Sequence, residues 1–328
     1  MKKLKFSFHP VFALLAALMM SLSCSKDKGP LSQNETNENK TPRPLYKPMM
    51  NWGLFCVPSS RLWEVRSSNI TMVRPPYGTE GSCNYRNAGE PAALRQYTQD
   101  AIDAGIYTLL FQPDVRLFLL SQPNCTPPPS VANSKTELDS LFTRMKRWFG
   151  NQISLIAYRD EPSGDNPEVL AYAQQAAHAN GISWYIATAS SPGQWYYQYA
   201  DELLITRYDV GSHKDNNPAT TSDRWMDWTA KRNDYDQIRN SSGKPVLPIV
   251  AAHFWDSSAY GGFNDWWWPP KSEIYTYANS VAAYFDPYTI WIYCGNDNTQ
   301  DLWSLPSPSD NQMNKVYAVI ANWPYPSQ

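Results

Sequence analysis

The sequence predicts a single (β/α)8 TIM barrel, an α/β fold, and three observations carry that prediction. Short apolar runs alternate with longer helical patterns eight times along the chain. The runs are rich in β-branched and aromatic residues and lack polar alternation, as strands buried on both faces of a parallel sheet require. Three of the helical patterns end directly at a glycine, where a chain leaves a helix. An open doubly wound sheet is the alternative. That architecture advertises a glycine-rich phosphate turn after its first strand, and no such turn is present.

In chain order the strand-like runs are Met50 to Cys56, Ile70 to Arg74, Tyr107 to Gln112 and Ile153 to Tyr158. Ser183 to Ala187, Leu203 to Tyr208, Val246 to Ala252 and Thr289 to Cys294 complete the set. Helices are expected over Glu90 to Ala104 before Gly105, Ser134 to Phe149 before Gly150, and Pro167 to Asn180 before Gly181. Three more are expected over Ser222 to Asn240, Ser272 to Phe285 and Ser309 to Asn322, with shorter ones near Arg61 to Ser68 and Gln194 to Leu203. No motif recurs at a period of about 20–50 residues, which argues against a solenoid.

Residues 1–23 read as a targeting segment and stand outside fold reasoning. Met1-Lys2-Lys3-Leu4-Lys5 is a basic start, and Val11 to Met20 is an apolar run too short to span a bilayer. Leu22-Ser23-Cys24 resembles the lipobox of bacterial lipoproteins, which implies lipidation of Cys24; an ordinary secretory signal is the alternative. Ser25-Lys26-Asp27-Lys28-Gly29 resembles the tags that carry Bacteroidetes-type lipoproteins to the cell surface. Residues 24–47 then read as a flexible tether rich in Asn, Pro, Lys and Thr. This leaves 48–328 as the barrel domain. Beyond the signal no apolar segment approaches a membrane span, so an outer-membrane location, cell-surface or periplasmic, would come from the lipid.

A net charge of −2 without a basic stripe argues against nucleic acid as a partner. Aromatic residues make up 14% of the chain, with 14 Trp and 21 Tyr, an excess that suits amphipathic surfaces meeting a polar ligand with an apolar face. Sugars are such ligands. His178, His213 and His253 form no His-x-His or His-Glu-x-x-His pair, and Gly-x-Ser-x-Gly is absent, so neither a metal, another cofactor nor a serine nucleophile is expected. The protein is expected to be a monomer.

In such barrels the reacting groups lie at the C-terminal ends of the strands. Those ends here converge acids, arginines and aromatics: Asn51-Trp52, Arg74 to Tyr77, Gln112 to Arg116, Arg159-Asp160-Glu161, Thr188-Ala189-Ser190, Arg207-Tyr208-Asp209, His253 to Asp256 and Tyr293 to Asp297. Glycosidic bond cleavage needs that mixture, since one carboxylic acid protonates the leaving oxygen while a second carboxylate attacks or activates water. Glu161 is the candidate acid. Asp209 and Asp256 compete for the second role, with Asp160 beside the first. Trp52, Arg74, Tyr77, Gln112, Arg159, Tyr208, Trp255, Trp267, Tyr293 and Asp297 are candidate substrate-binding residues, Trp267 from the run Trp266-Trp267-Trp268.

Glu161-Pro162 at the end of strand four resembles the clan-A glycoside hydrolases, (β/α)8 enzymes with a Glu acid/base at that place. The resemblance implies a carbohydrate-cleaving activity with Glu161 as general acid. Asp160 stands where that family carries Asn, and strand seven offers Asp256 where the family carries a nucleophilic Glu. A non-catalytic carbohydrate-binding lipoprotein on a degenerate barrel is the rival reading, and a metal-independent lyase or transglycosylase is a third.

Four cysteines follow Cys24. Cys83 and Cys125 fall in adjacent connections after strands two and three and are expected to pair. Cys56 and Cys294 end the first and last strands, which are neighbours only in a closed barrel, and their state is left open.

Overall fold

A computed structural model describes residues 51–76, 92–120, 129–189, 191–206, 228–251, 278, 289–293 and 312–321. All of them belong to the unit Lys47–Gln328.

The strands are β1 (Asn51–Leu54), β2 (Met72–Val73), β3 (Thr108–Phe111), β4 (Ser154–Asp160), β5 (Ser183–Thr188), β6 (Glu202–Thr206), β7 (Val246–Ala251) and β8 (Thr289–Tyr293). They form a closed parallel barrel in sequence order. Closure is made by β1 and β8, which pair from Asn51↔Thr289 to Leu54↔Ile292. Each expected strand run overlaps an observed strand, although β4 and β5 run on past the expected ends at Tyr158 and Ala187 and β6 starts before Leu203. The open sheet is thereby excluded.

Helices α1 (Leu62–Ser67), α2 (Ala92–Asp103), α3 (Arg116–Leu119), α4 (Val131–Phe149), α5 (Pro167–Ala179), α6 (Trp228–Ser242) and α7 (Gln312–Ala321) lie between or after the strands. Between β5 and β6 a single 3-10 turn, Trp195–Tyr199, replaces an α-helix. The start of α4 corrects the expectation of Ser134. Ser130 is the N-cap, its side chain accepting from the Asn133 N–H, while Ser134 is buried and donates to the Leu117 carbonyl. Helix α3 was not expected. Asp114 starts it, with Oδ1 accepting the Arg116 N–H at 3.0 Å and the carboxylate pairing the Arg116 guanidinium. The expected helix over Ser272 to Phe285 falls almost wholly outside the described residues, with Ala278 helical.

Strand alternation divides the core in two. Leu54, Val73, Leu109, Leu155, Ala157 and Ile186 face the helices, while Phe55, Met72, Leu110, Ile156, Tyr158, Tyr185 and Trp291 fill the barrel interior. Gly53 on β1 is a requirement of that filling. It pairs with Trp291 on β8, and a Cβ at position 53 would meet the indole at 2.3 Å.

Candidate active site

The β4 end carries the chemistry, and strand alternation decides where each residue points. Ile156 and Tyr158 lie in the interior, Leu155 and Ala157 against the helices. The same alternation puts Asp160 on the interior face, half-buried, and Arg159 on the helix face.

Glu161 follows immediately in the left-handed region, at φ 48° and ψ 60°. A non-glycine residue there costs on the order of 1–3 kcal/mol and persists only where its surroundings over-determine it. They do so here. The Glu161 N–H donates to the Ala187 carbonyl at 2.9 Å, the last rung of the β4–β5 ladder. In a continued parallel ladder the Ala189 N–H would turn to the Glu161 main-chain carbonyl. The Glu161 side chain takes that place, Oε1 accepting from Ala189 N at 2.7 Å. Oε2 accepts from Thr188 Oγ1 at 3.3 Å, and Thr188 Oγ1 lies 3.2 Å from the Tyr196 hydroxyl. A carboxylate offers about four acceptor sites, so these bonds orient Glu161 and leave half its capacity at an exposed position.

The loop after Glu161 is clamped from below. Arg159, 5% exposed, donates from Nε to Asp165 Oδ2 at 2.8 Å and from Nη2 to Oδ1 at 2.7 Å. Its Nη1 donates to the Asp160 carbonyl, and its guanidinium lies 5.5 Å from the Phe118 ring centre. Burial pushes the Asp165 carboxyl above its ordinary value, outweighing the charge and hydrogen bonds of Arg159. Asn166 caps α5, accepting from the N–H groups of Glu168 and Val169, and donates its own N–H to the Phe118 carbonyl at 2.8 Å.

Beneath the rim the interior is polar. Arg74, fully buried, donates from Nε to the Tyr158 hydroxyl at 2.7 Å and from Nη1 to the Pro75 carbonyl at 2.6 Å, with Cys56 Sγ at 3.8 Å. Gln112 continues the alternation of β3 onto the interior face and is 5% exposed. Among the described residues no donor reaches its buried Oε1.

The structure therefore sorts the expected residues. Asp160, Glu161, Arg74 and Gln112 gather at the C-terminal side of β2–β4, and Tyr293 is the last residue of β8, paired with Ala251. Two expected binding residues are placed elsewhere. Trp52, second in β1 and 4% exposed, packs in the layer between sheet and helices, because its alternation is that of Leu54. Arg159 is turned to the helix face and held by Asp165. Tyr77, Tyr208, Asp209, Trp255, Asp256, Trp267 and Asp297 lie outside the described residues, as do Cys24, Cys83, Cys125 and Cys294. Thr188 and Tyr196 were not singled out from sequence, although Thr188 follows the fifth strand run directly.

Off the rim, Asp201 just ahead of β6 accepts the Trp184 N–H at 2.8 Å and bonds His178 and Gln174. Burial raises its carboxyl pKa, but the hydrogen bonds from Trp184, His178 and Gln174, with the His178 charge, outweigh this and hold it below 3.8. This face of a barrel serves stability rather than chemistry.

Solved structures share the barrel at low identity. A putative α-L-fucosidase from Bacteroides thetaiotaomicron VPI-5482 matches with a TM-score of 0.51 and 8% identity, covering 87% of this chain and 98% of that one. A GH20 catalytic module of the pneumococcal exo-β-D-N-acetylglucosaminidase matches at 0.47 and 8%, covering 83% and 84%. The L-Ala-D/L-Glu epimerase from Bacillus subtilis matches at 0.43 and 9%, covering 75% and 54%. Glycoside hydrolases make up most of the top matches, at 8–13% identity. No protein-family model and no curated protein matches the chain. Likeness at this level shows the TIM-barrel fold, which hosts many unrelated reactions.

Proposed function

We propose that this protein is a glycoside hydrolase that cleaves an oligo- or polysaccharide, with Glu161 as the general acid. The observation that carries the reading is the Glu161 carboxyl at the rim of the barrel. Its backbone is strained into the left-handed region, and each carboxyl oxygen is held by a donor at the end of β5. Strain maintained at a strand end is a mark of functional sites. Gln112 supports a sugar as ligand, because no donor among the described residues reaches its buried amide oxygen and a sugar hydroxyl would supply one. Asp209 is the favoured second carboxylate, since it directly ends the sixth strand run, with Asp256 next and Asp160 as the inward neighbour of the acid. Lipidation at Cys24 would tether the enzyme to the outer membrane.

A second reading has its own observation. The bond from Ala189 to Glu161 also terminates the β4–β5 ladder, a role that a non-catalytic carbohydrate-binding barrel could retain. Incubation of the purified protein with a panel of oligo- and polysaccharides, followed by mass spectrometry of the products, separates the two. Shortened glycans with new reducing ends are expected. Bound but intact glycans would favour the binding protein.

A further inference from the structure

We infer that Thr188 and Tyr196 are positioning residues for Glu161, forming a directed hydroxyl pair that sets the plane of its carboxyl. The inference rests on the proposed catalytic role of Glu161. Direction follows from counting hydrogens. Thr188 has a single hydroxyl hydrogen, and a carboxyl oxygen can accept it whether Glu161 is ionised or carries its proton elsewhere on the group. Thr188 Oγ1 therefore donates to Glu161 Oε2 at 3.3 Å. With that hydrogen committed, the 3.2 Å contact between the two hydroxyls must run from Tyr196 to Thr188.

Both hydroxyl-bearing side chains are fully buried, at 0% exposure, whereas Glu161 is exposed. The rigid part of the pair thus lies in the packed layer and the acid at its outer end. Tyr196 is fixed in turn by its ring, edge-on to Trp195 and Tyr197 with centroids 5.5 and 5.2 Å away. The 3-10 turn Trp195–Tyr199 explains why this is possible: standing where other units have an α-helix, it brings a tyrosine against the end of β5. Ala189 N–H and Thr188 Oγ–H hold different oxygens of Glu161, so together they fix the rotation of the carboxyl group, which one donor alone would not. A general acid needs that rotation fixed, because small misplacement of a reacting group costs about 100-fold in rate.

The test uses whichever glycan or 4-nitrophenyl glycoside the full-length protein hydrolyses, with Thr188→Val, Thr188→Ser, Tyr196→Phe and Glu161→Gln compared to the unaltered chain. Thr188→Val is expected to lower kcat about 100-fold at unchanged KM. Tyr196→Phe, which removes one bond at one remove, should lower kcat about five- to tenfold. Thr188→Ser, which keeps the hydroxyl, should restore kcat to within about threefold. Equal losses for Thr188→Ser and Thr188→Val would overturn the inference, as would kcat within twofold of normal for both Thr188→Val and Tyr196→Phe. If those variants are normal while Glu161→Gln is inactive, the positioning role fails and the catalytic reading stands. If Glu161→Gln is fully active, both fall. Crystal structures of the Thr188→Val and Tyr196→Phe proteins give a readout that needs no substrate. A Glu161 carboxyl rotated away from its present plane supports the inference, and an unmoved one contradicts it.

Discussion

Arg159 and Asp165, six residues apart across the β4–α5 connection, form a buried two-point ion pair that closes the loop carrying Glu161. Strand alternation alone sends Arg159 away from the barrel mouth. Asp165 is free to meet it because Asn166, its neighbour, takes over the capping of α5.

The direction in which Asp165 is shifted gives the pair a testable energetic character. Both partners are buried and burial raises the Asp165 carboxyl, so the pair is expected to specify the loop more than to stabilise the fold. Asp165→Ala, which strands the buried Arg159 charge, should cost about 3–5 kcal/mol in urea unfolding. Arg159→Met combined with Asp165→Leu should return stability to within about 1 kcal/mol of normal. A double variant as unstable as Asp165→Ala would show that the pair is a net stabiliser.

Gly53 tests the barrel interior. Adding a Cβ drives it into Trp291, whose indole is fully buried and also packs edge-on against Phe55. Gly53→Ala should therefore destabilise by about 1–3 kcal/mol, through overpacking. Gly243→Ala is the wrong comparison, since φ there is +64°. A Gly53→Ala protein with an unchanged urea midpoint would mean that Trp291 does not fill the space beside β1.

Acid sensitivity should trace in part to Asp201. A carboxyl held below its unfolded value of 3.8 stabilises the fold above that pH and loses the contribution as pH falls through the folded value. Asp201→Asn should accordingly be less stable than the unaltered protein near neutral pH, with the gap shrinking below about pH 3.8. Urea melts across the range would show it. A gap that stays constant with pH would remove Asp201 from the acid response.

What the sequence revealed about fold and site divides along physical lines. The eight strands were legible because a strand buried on both faces leaves an unbroken apolar run, and Pro167 and Gly181 marked both ends of α5. The expected start of helix α4 at Ser134 falls inside the observed helix, and the hydroxyl of Ser134 is used in the core. The acid pair at the end of β4 was visible from position and residue type. The roles of Arg159 and Trp52 were not, because a strand end shows which residues are near the rim but alternation decides which face it. Thr188 reads as a strand-end residue without a role, and Tyr196 is not singled out, for a different reason. Their value lies in a contact between the end of one strand and a turn eight residues on, and no local pattern marks it.

Cys83 and Cys125 supply a prediction that rests on sequence alone. They fall in the connections after β2 and β3, and a disulfide between them would close a loop of about 40 residues and stabilise by about 3–4 kcal/mol in the chain-entropy model. Peptide mapping without reductant should recover the Cys83–Cys125 pair. Recovery of either one linked to Cys56 or Cys294 would contradict it.

The central claim is that Glu161 does chemistry, and one substitution tests it most directly. Glu161→Gln keeps the shape of the side chain and an acceptor for the Ala189 N–H, so the fold should be retained while the exchangeable carboxyl proton is lost. On a glycan that the unaltered protein cleaves, kcat should fall by about 100-fold or more, with binding of that glycan preserved in calorimetry. A Glu161→Gln protein that still hydrolyses the glycan at more than about a tenth of the normal rate would contradict the assignment of Glu161 as the general acid.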